Sequence, residues 1–132
     1  MMEKREILIL THGSWGKECI RSAEMIIGEI EELYFYSLEP SDSLDELQKR
    51  IERDIKERNS RHPIVISDLK DGSTSHVATY IAYISSGLAI SGLSMSVLIA
   101  AVRERDEKDD NTLCSRILKE GREGISDISI KG

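Results

Sequence analysis

Ile7-Leu8-Ile9-Leu10 and Ile64-Val65-Ile66 are uninterrupted apolar runs bounded by charged or polar residues. A strand with one solvated face alternates, whereas a run that is apolar at every position fits a strand covered on both faces of a parallel sheet. Such a sheet needs helices above and below it, and the intervening sequence supplies them. Residues Ile20, Ala23, Ile26 and Ile27 recur at helical spacing before Gly28, which is placed to end the helix. Ser43 and Glu46 form a capping box ahead of the stripe Leu44, Leu47, Ile51 and Ile55,.

The alternation continues along the chain. The short aromatic run Leu33-Tyr34-Phe35-Tyr36 reads as a strand, and Ser73 or Thr74 caps a helix through Val77, Tyr80, Ile81 and Ile84,. Gly87 to Gly92 brackets a short fourth strand, with helices expected over about 95–105 and 112–123. The charged run Arg103 to Asp110 reads as a solvated helix end,. The fold class is therefore α/β: a doubly wound, mainly parallel open sheet with right-handed crossovers and helices on both faces. Residues 127–131 alternate polar and apolar like an antiparallel edge strand, which needs another edge to pair with, and a second subunit is one source of that edge.

At 132 residues the chain is long enough for one core and short for two, so a single domain over 1–132 is expected. The net charge of −6 argues against nucleic-acid binding, which relies on clustered cations. Cys19 and Cys114 lie far apart without ligand spacing, so neither a disulfide framework nor a metal site is expected. The first apolar run is too short for a signal peptide or a membrane span, and a cytoplasmic setting with no direct membrane insertion is expected.

If the two apolar runs are neighbouring parallel strands, His12 and Asp68 emerge side by side at the carboxyl edge, where open α/β sheets hold their ligands. A carboxylate on Nδ1–H fixes the imidazole tautomer and leaves Nε2 as a nucleophile. Gly72, Ser73 and Thr74 precede or open a helix whose first amides attract an anion. Gly13 permits close backbone approach. Each residue also has a bland reading: a histidine at a strand end, an aspartate capping a turn, a serine capping a helix, a glycine in a tight turn. His62 reads as a surface residue, His76, one helical turn past the anion site, either lies on the surface or faces that site, and Trp15 either shields His12 or packs in a core or interface.

Thr11-His12-Gly13, Ser22 to Gly28, Asp68-Leu69-Lys70-Asp71-Gly72-Ser73, Ile90-Ser91-Gly92-Leu93 and Gly121-Arg122-Glu123-Gly124 together resemble the mannose-type enzyme IIA of the bacterial sugar phosphotransferase system. The resemblance implies a phosphotransferase that accepts a phosphoryl group from phospho-HPr on His12 and passes it to an enzyme IIB domain for sugar uptake. In that scheme Asp68 orients His12 and Ser73 lies near the phosphoryl group, while the turn and the helix start add Gly13, Gly72 and Thr74 as expected lining of the phosphoryl site. No metal or cofactor is expected. The family fold exchanges its last strand in a homodimer, and association with a membrane sugar permease is indirect. A regulatory, phospho-sensing module that feeds no transporter is the alternative, while a phosphoesterase lacks an Arg-His-Gly pattern and a second catalytic histidine. Where the family commonly has Gly-Gly-Ser-Pro, this chain has Asp71-Gly72-Ser73-Thr74, and the usual Asn at the helix start is His76. Asp71 either repels a phosphoryl dianion, by ~1 kcal/mol or more, or points to solvent.

Overall fold

The computed structural model describes residues 4–131. Four parallel strands, β1 (Ile7–His12), β2 (Leu33–Leu38), β3 (Ile64–Ser67) and β4 (Leu88–Ser91), stand in the order β2-β1-β3-β4. Five helices connect or follow them: α1 (Trp15–Ile27), α2 (Leu44–Glu57), α3 (Ser73–Ser85), α4 (Met95–Glu104) and α5 (Asp110–Glu123).

The apolar runs make the two central strands, and their side chains divide between two cores. Ile7 and Ile9 of β1 with Ile64 and Ile66 of β3 face α1, α4 and α5 through Ala23, Leu98, Leu113 and Ile117. Leu8, Leu10 and Val65 face α2 and α3 through Leu47, Ile51, Ile55, Val77 and Ile81. This accounts for the lack of alternation, since every position in β1 from Ile7 to Leu10 is fully buried. Each such side chain contributes roughly 1.5–3 kcal/mol when removed from water.

Two helix signals act as anticipated. Ser43 Oγ accepts the Glu46 N–H at 3.3 Å, and Gly28, at φ +83°, ends α1 with its N–H on Glu24 O. The expected cap by Ser73 or Thr74 is not made: Gly72 is the N-cap of α3 with no side-chain cap hydrogen bond, and the Thr74 hydroxyl goes to Asp68 instead. Two further elements differ from the sequence reading. Arg105, in the supposedly solvated helix end, is 3% exposed. Its Nη1 donates to Glu31 O at 2.7 Å, its Nε to Arg5 O at 3.0 Å, and its Nη2 to Arg5 O and Glu32 O. The carbonyls beside the starts of β1 and β2 need donors, and this guanidinium supplies them. The second difference is the C-terminal segment. Residues 125–131 form no strand within the single chain, and Ile128 and Ile130 are 91% and 99% exposed. In the single chain the segment pairs with no strand, and the outer edge of β4 stays open among the described residues,.

The order of strands places a winding reversal between β1 and β3. The connection through α1 leaves β1 on one face, whereas β3 is entered and left through α2 and α3 on the other. The loops after β1 and β3 therefore diverge and leave a crevice at the carboxyl edge.

Candidate functional site

The site is assembled at that crevice from the two strand ends. β1 and β3 pair in register up to Leu10 opposite Ser67, so His12 and Asp68 leave adjacent strands within a residue or so of one another. Asp68 Oδ2 accepts the backbone N–H of His12 at 2.8 Å, and its two oxygens each lie 3.1 Å from His12 Nδ1. Two more donors reach the same carboxylate: Thr74 Oγ1 to Oδ1 at 2.7 Å, and Trp15 Nε1 to Oδ2 at 3.2 Å.

Four donors on one carboxylate have a clear electrostatic result. Burial pushes the Asp68 pKa up, but the hydrogen bonds from the His12 amide, Thr74, the His12 ring and Trp15 outweigh it and hold the group below its ordinary value,. An ionised carboxylate only accepts, so Nδ1 of His12 donates to it and Nε2 is the ring nitrogen left without a partner among the described residues,. The exposure is asymmetric as well. The Asp68 side chain is 7% exposed and that of His12 is 44% exposed, so the orienting group is inside and the reactive ring faces out.

The loop from Asp68 to α3 holds this arrangement in place. Ser75 Oγ donates to Leu69 O, Ser67 Oγ lies 2.7 Å from Ser75 Oγ, and the amides of Gly92 and Leu93 both donate to Ser67 O at 3.0 Å. A Cβ at Gly72 would stand 3.3 Å from His12 Cε1 and 3.2 Å from Leu69 O, so the start of α3 closes onto the ring because residue 72 has no side chain. Asp71, at φ +65°, adopts the left-handed conformation that a short polar side chain tolerates better than most. That conformation explains how aspartate stands where the resembling sequences have glycine. Its side chain is exposed.

The other sequence-proposed residues divide by what their polar groups already do. The Gly13 amide donates to Leu38 O at 2.8 Å and the Gly72 amide to Leu69 O at 3.1 Å, so neither is free for an oxyanion. Thr74 is fully buried, with its hydroxyl hydrogen on Asp68. The amides of Ser73 and Thr74, in the first turn of α3, have no backbone acceptor among the described residues. Ser73 opens that helix half-buried. The open donors are thus two adjacent amides beside the ring, an arrangement suited to an anion at a helix N-terminus. His76 is exposed and lines a groove of about 250 Å³ with Lys70, Asp71, Gly72, Ser75 and Thr79. His62 is exposed at the opposite edge, its Nδ1 2.9 Å from Ser86 O.

Trp15 is the residue whose role sequence reasoning did not find. It is the first residue of α1, 45% exposed, and its indole crosses to a carboxylate 53 positions away. Gly16 permits the approach, since a Cβ there would be 2.6 Å from Thr11 Cγ2 and 2.7 Å from Phe35 Cε1. The signal in the sequence was an indole next to a glycine just after the strand end, a pattern too general to specify a partner.

Among the described residues no cluster of three or more His, Cys, Asp or Glu side chains suits a metal ion, and no helix is long and apolar enough to cross a membrane. A family model described as the fructose IIA component of the phosphotransferase system matches residues 6–118. No curated protein matches the chain. The fold is similar to the mannose/sorbose-specific IIA subunit of the phosphotransferase system from Enterococcus faecalis, at 23% identity over 98% of both chains with a TM-score of 0.86. It is also similar to phosphotransferase system component EIIA from Streptococcus agalactiae, at 23% identity over 92% of this chain and 95% of that one, TM-score 0.83. A sigma-54 interaction domain protein from Enterococcus faecalis has the same fold at 13% identity, over 92% of this chain and 93% of that one, TM-score 0.75.

Proposed function

The chain belongs to the mannose- and fructose-type enzyme IIA family of the sugar phosphotransferase system, and from that premise we propose that it carries a phosphoryl group on Nε2 of His12. The observation that supports this most directly is the Asp68 carboxylate, held by four donors, on the Nδ1 side of a half-exposed ring. Phospho-HPr is the donor in this reading. The Nε2 lone pair attacks phosphorus in line as the donor's P–N bond breaks, and that bonding pair returns to the donor's ring nitrogen. Nδ1 keeps its proton, and Asp68 offsets the positive charge that the ring acquires. The Ser73 hydroxyl and the amides of Ser73 and Thr74 take the transferred oxygens, aided by the dipole of α3. Transfer to an enzyme IIB domain reverses the geometry with a new acceptor.

The setting is cytoplasmic, with an indirect link to a membrane sugar permease through the IIB partner. The protein works as a homodimer in which residues 125–131 cross to the partner and pair with the outer edge of β4, which lacks a neighbour in the single chain. Burial of Ile125, Ile128 or Ile130 in that exchange supplies the apolar contact they lack here,. Light scattering of the full chain gives twice the monomer mass, and a chain ending at Gly124 gives the monomer mass; a monomeric full chain rejects the exchange.

A second reading is a phospho-sensing module that feeds no transporter. The shared fold of a protein named for sigma-54 interaction is the observation that favours it. Incubation with enzyme I, HPr and labelled phosphoenolpyruvate separates the cases. A carrier becomes labelled on His12 and passes the label to enzyme IIB, a sensor retains it, and label persisting in His12→Ala rejects both.

A further inference from the structure

We propose that Trp15 and Thr74 are positioning residues that clamp Asp68 from two helices and so fix the orientation of His12 for phosphoryl transfer. The inference rests on the carrier reading given above. Neither side chain touches the atoms that react; each acts through the carboxylate.

The geometry has two sides. Thr74, the second residue of α3, donates to Oδ1 at 2.7 Å from a fully buried position. Trp15, the first residue of α1, donates to Oδ2 at 3.2 Å from the solvent side. The terminal torsion of an aspartate is broad when nothing restrains it. With a donor outside His12 on each oxygen, any rotation of the carboxylate breaks charge-assisted bonds to two helices at once. The ring that leans on this carboxylate through Nδ1 inherits the restraint.

The same two donors act on the chemistry. Each lowers the basicity of Asp68, so the carboxylate has less tendency to remove the Nδ1 proton as Nε2 bonds to phosphorus. The Nε2–P bond forms, the donor's P–N bond breaks towards the donor, and no proton leaves the pair. Thr74 therefore has a different duty from the oxyanion contact that its position alone suggests: its amide is open to an anion, while its hydroxyl belongs to Asp68.

Full-length Thr74→Val, Thr74→Ser and Trp15→Phe variants test the clamp with two readouts. In single-turnover acceptance from phospho-HPr at saturating donor, Thr74→Val and Trp15→Phe fall by about fivefold each, with unchanged apparent affinity for the donor, and Thr74→Ser recovers the rate. In proton NMR, the His12 Nδ1–H resonance is hydrogen-bonded and slow to exchange in the wild type and in Thr74→Ser, and is shifted and faster to exchange in the two weakened variants. The NMR arm needs no donor, so a wild type that accepts no phosphoryl group rejects the carrier reading while the resonance still tests the clamp. Unchanged rate and resonance in folded Thr74→Val and Trp15→Phe overturn the proposal. A loss of donor affinity at full maximal rate in Trp15→Phe also overturns it, because the indole would then be a docking contact. Should Thr74→Val fail to fold, the half-exposed Trp15 position carries the same two measurements.

Discussion

The two edges of the sheet each bury a charge, and they use it in opposite ways. At the amino edge, Arg105 sits among the backbone carbonyls of Arg5, Glu31 and Glu32, with donors on all three guanidinium nitrogens engaged. At the carboxyl edge, Asp68 collects four donors, and one of them belongs to a ring whose other nitrogen is left for solvent or substrate. Both charges complete hydrogen bonds that burial would otherwise leave open. Only the second passes its influence to a reactive atom. A buried charge therefore points to chemistry when its partners end in an unused nucleophile, and to scaffolding when they end in the backbone.

The largest test of this contrast removes the reactive ring. His12→Ala abolishes phosphoryl acceptance in a labelling assay and lowers the unfolding midpoint less than Arg105→Ala does, because the ring is half-exposed whereas Arg105 is buried; a loss of stability as large as that of Arg105→Ala would make the ring part of the scaffold. Arg105→Ala does the reverse. It strands the carbonyls of Arg5 and Glu31, Glu32 O keeping the Ile7 N–H, and costs about 3 kcal/mol in urea unfolding, with acceptance by the folded protein intact,; slow transfer in that variant would join the two edges. Asp68→Asn comes next, lowering acceptance by about 100-fold, as expected for an outer partner that orients a reactive histidine. The amide would also turn an NH₂ group towards the donors of Trp15, Thr74 or His12.

A smaller effect follows from protonation. The folded Asp68 pKa is lowered from its ordinary value of 3.8, so its hydrogen bonds stabilise the fold above about that pH and are lost as pH falls through the folded value. The stability difference between wild type and Asp68→Asn therefore shrinks as pH is taken from 5 towards 3 in denaturant titrations. A difference that grows on acidification would mean that the carboxylate is protonated in the native state. Arg105 has no titration of its own in that range, so any slope in its deficit over the same interval comes from the carboxylates around it, Asp106, Glu32, Glu31 and Glu6.

The contrast also explains what could be read from the sequence. β1 and β3 were legible because burial on both faces demands apolar residues at every position, a pattern that solvent-facing strands do not share,. The pairing of His12 with Asp68 followed from topology, since two central parallel strands bring their following residues to one edge. Arg105 was hidden because its partners are carbonyls, which every sequence has and none displays. Trp15 and Thr74 were hidden for a different reason. Their contacts depend on where α1 and α3 begin relative to the strands, and that placement is set by close backbone approach at Gly16 and Gly72. Asp71 looked discordant as a charge, and only its backbone angle showed that it satisfies the conformational demand of the glycine it replaces.

Trp15 is the only tryptophan in the chain, and its indole N–H ends on the carboxylate that holds the reactive histidine. The protein's indole emission, distinct from that of its four tyrosines, therefore originates beside this carboxylate, and an event that moves Asp68 relative to Trp15 is reported there without a label. The fold has placed its one bright chromophore against the group whose state matters most.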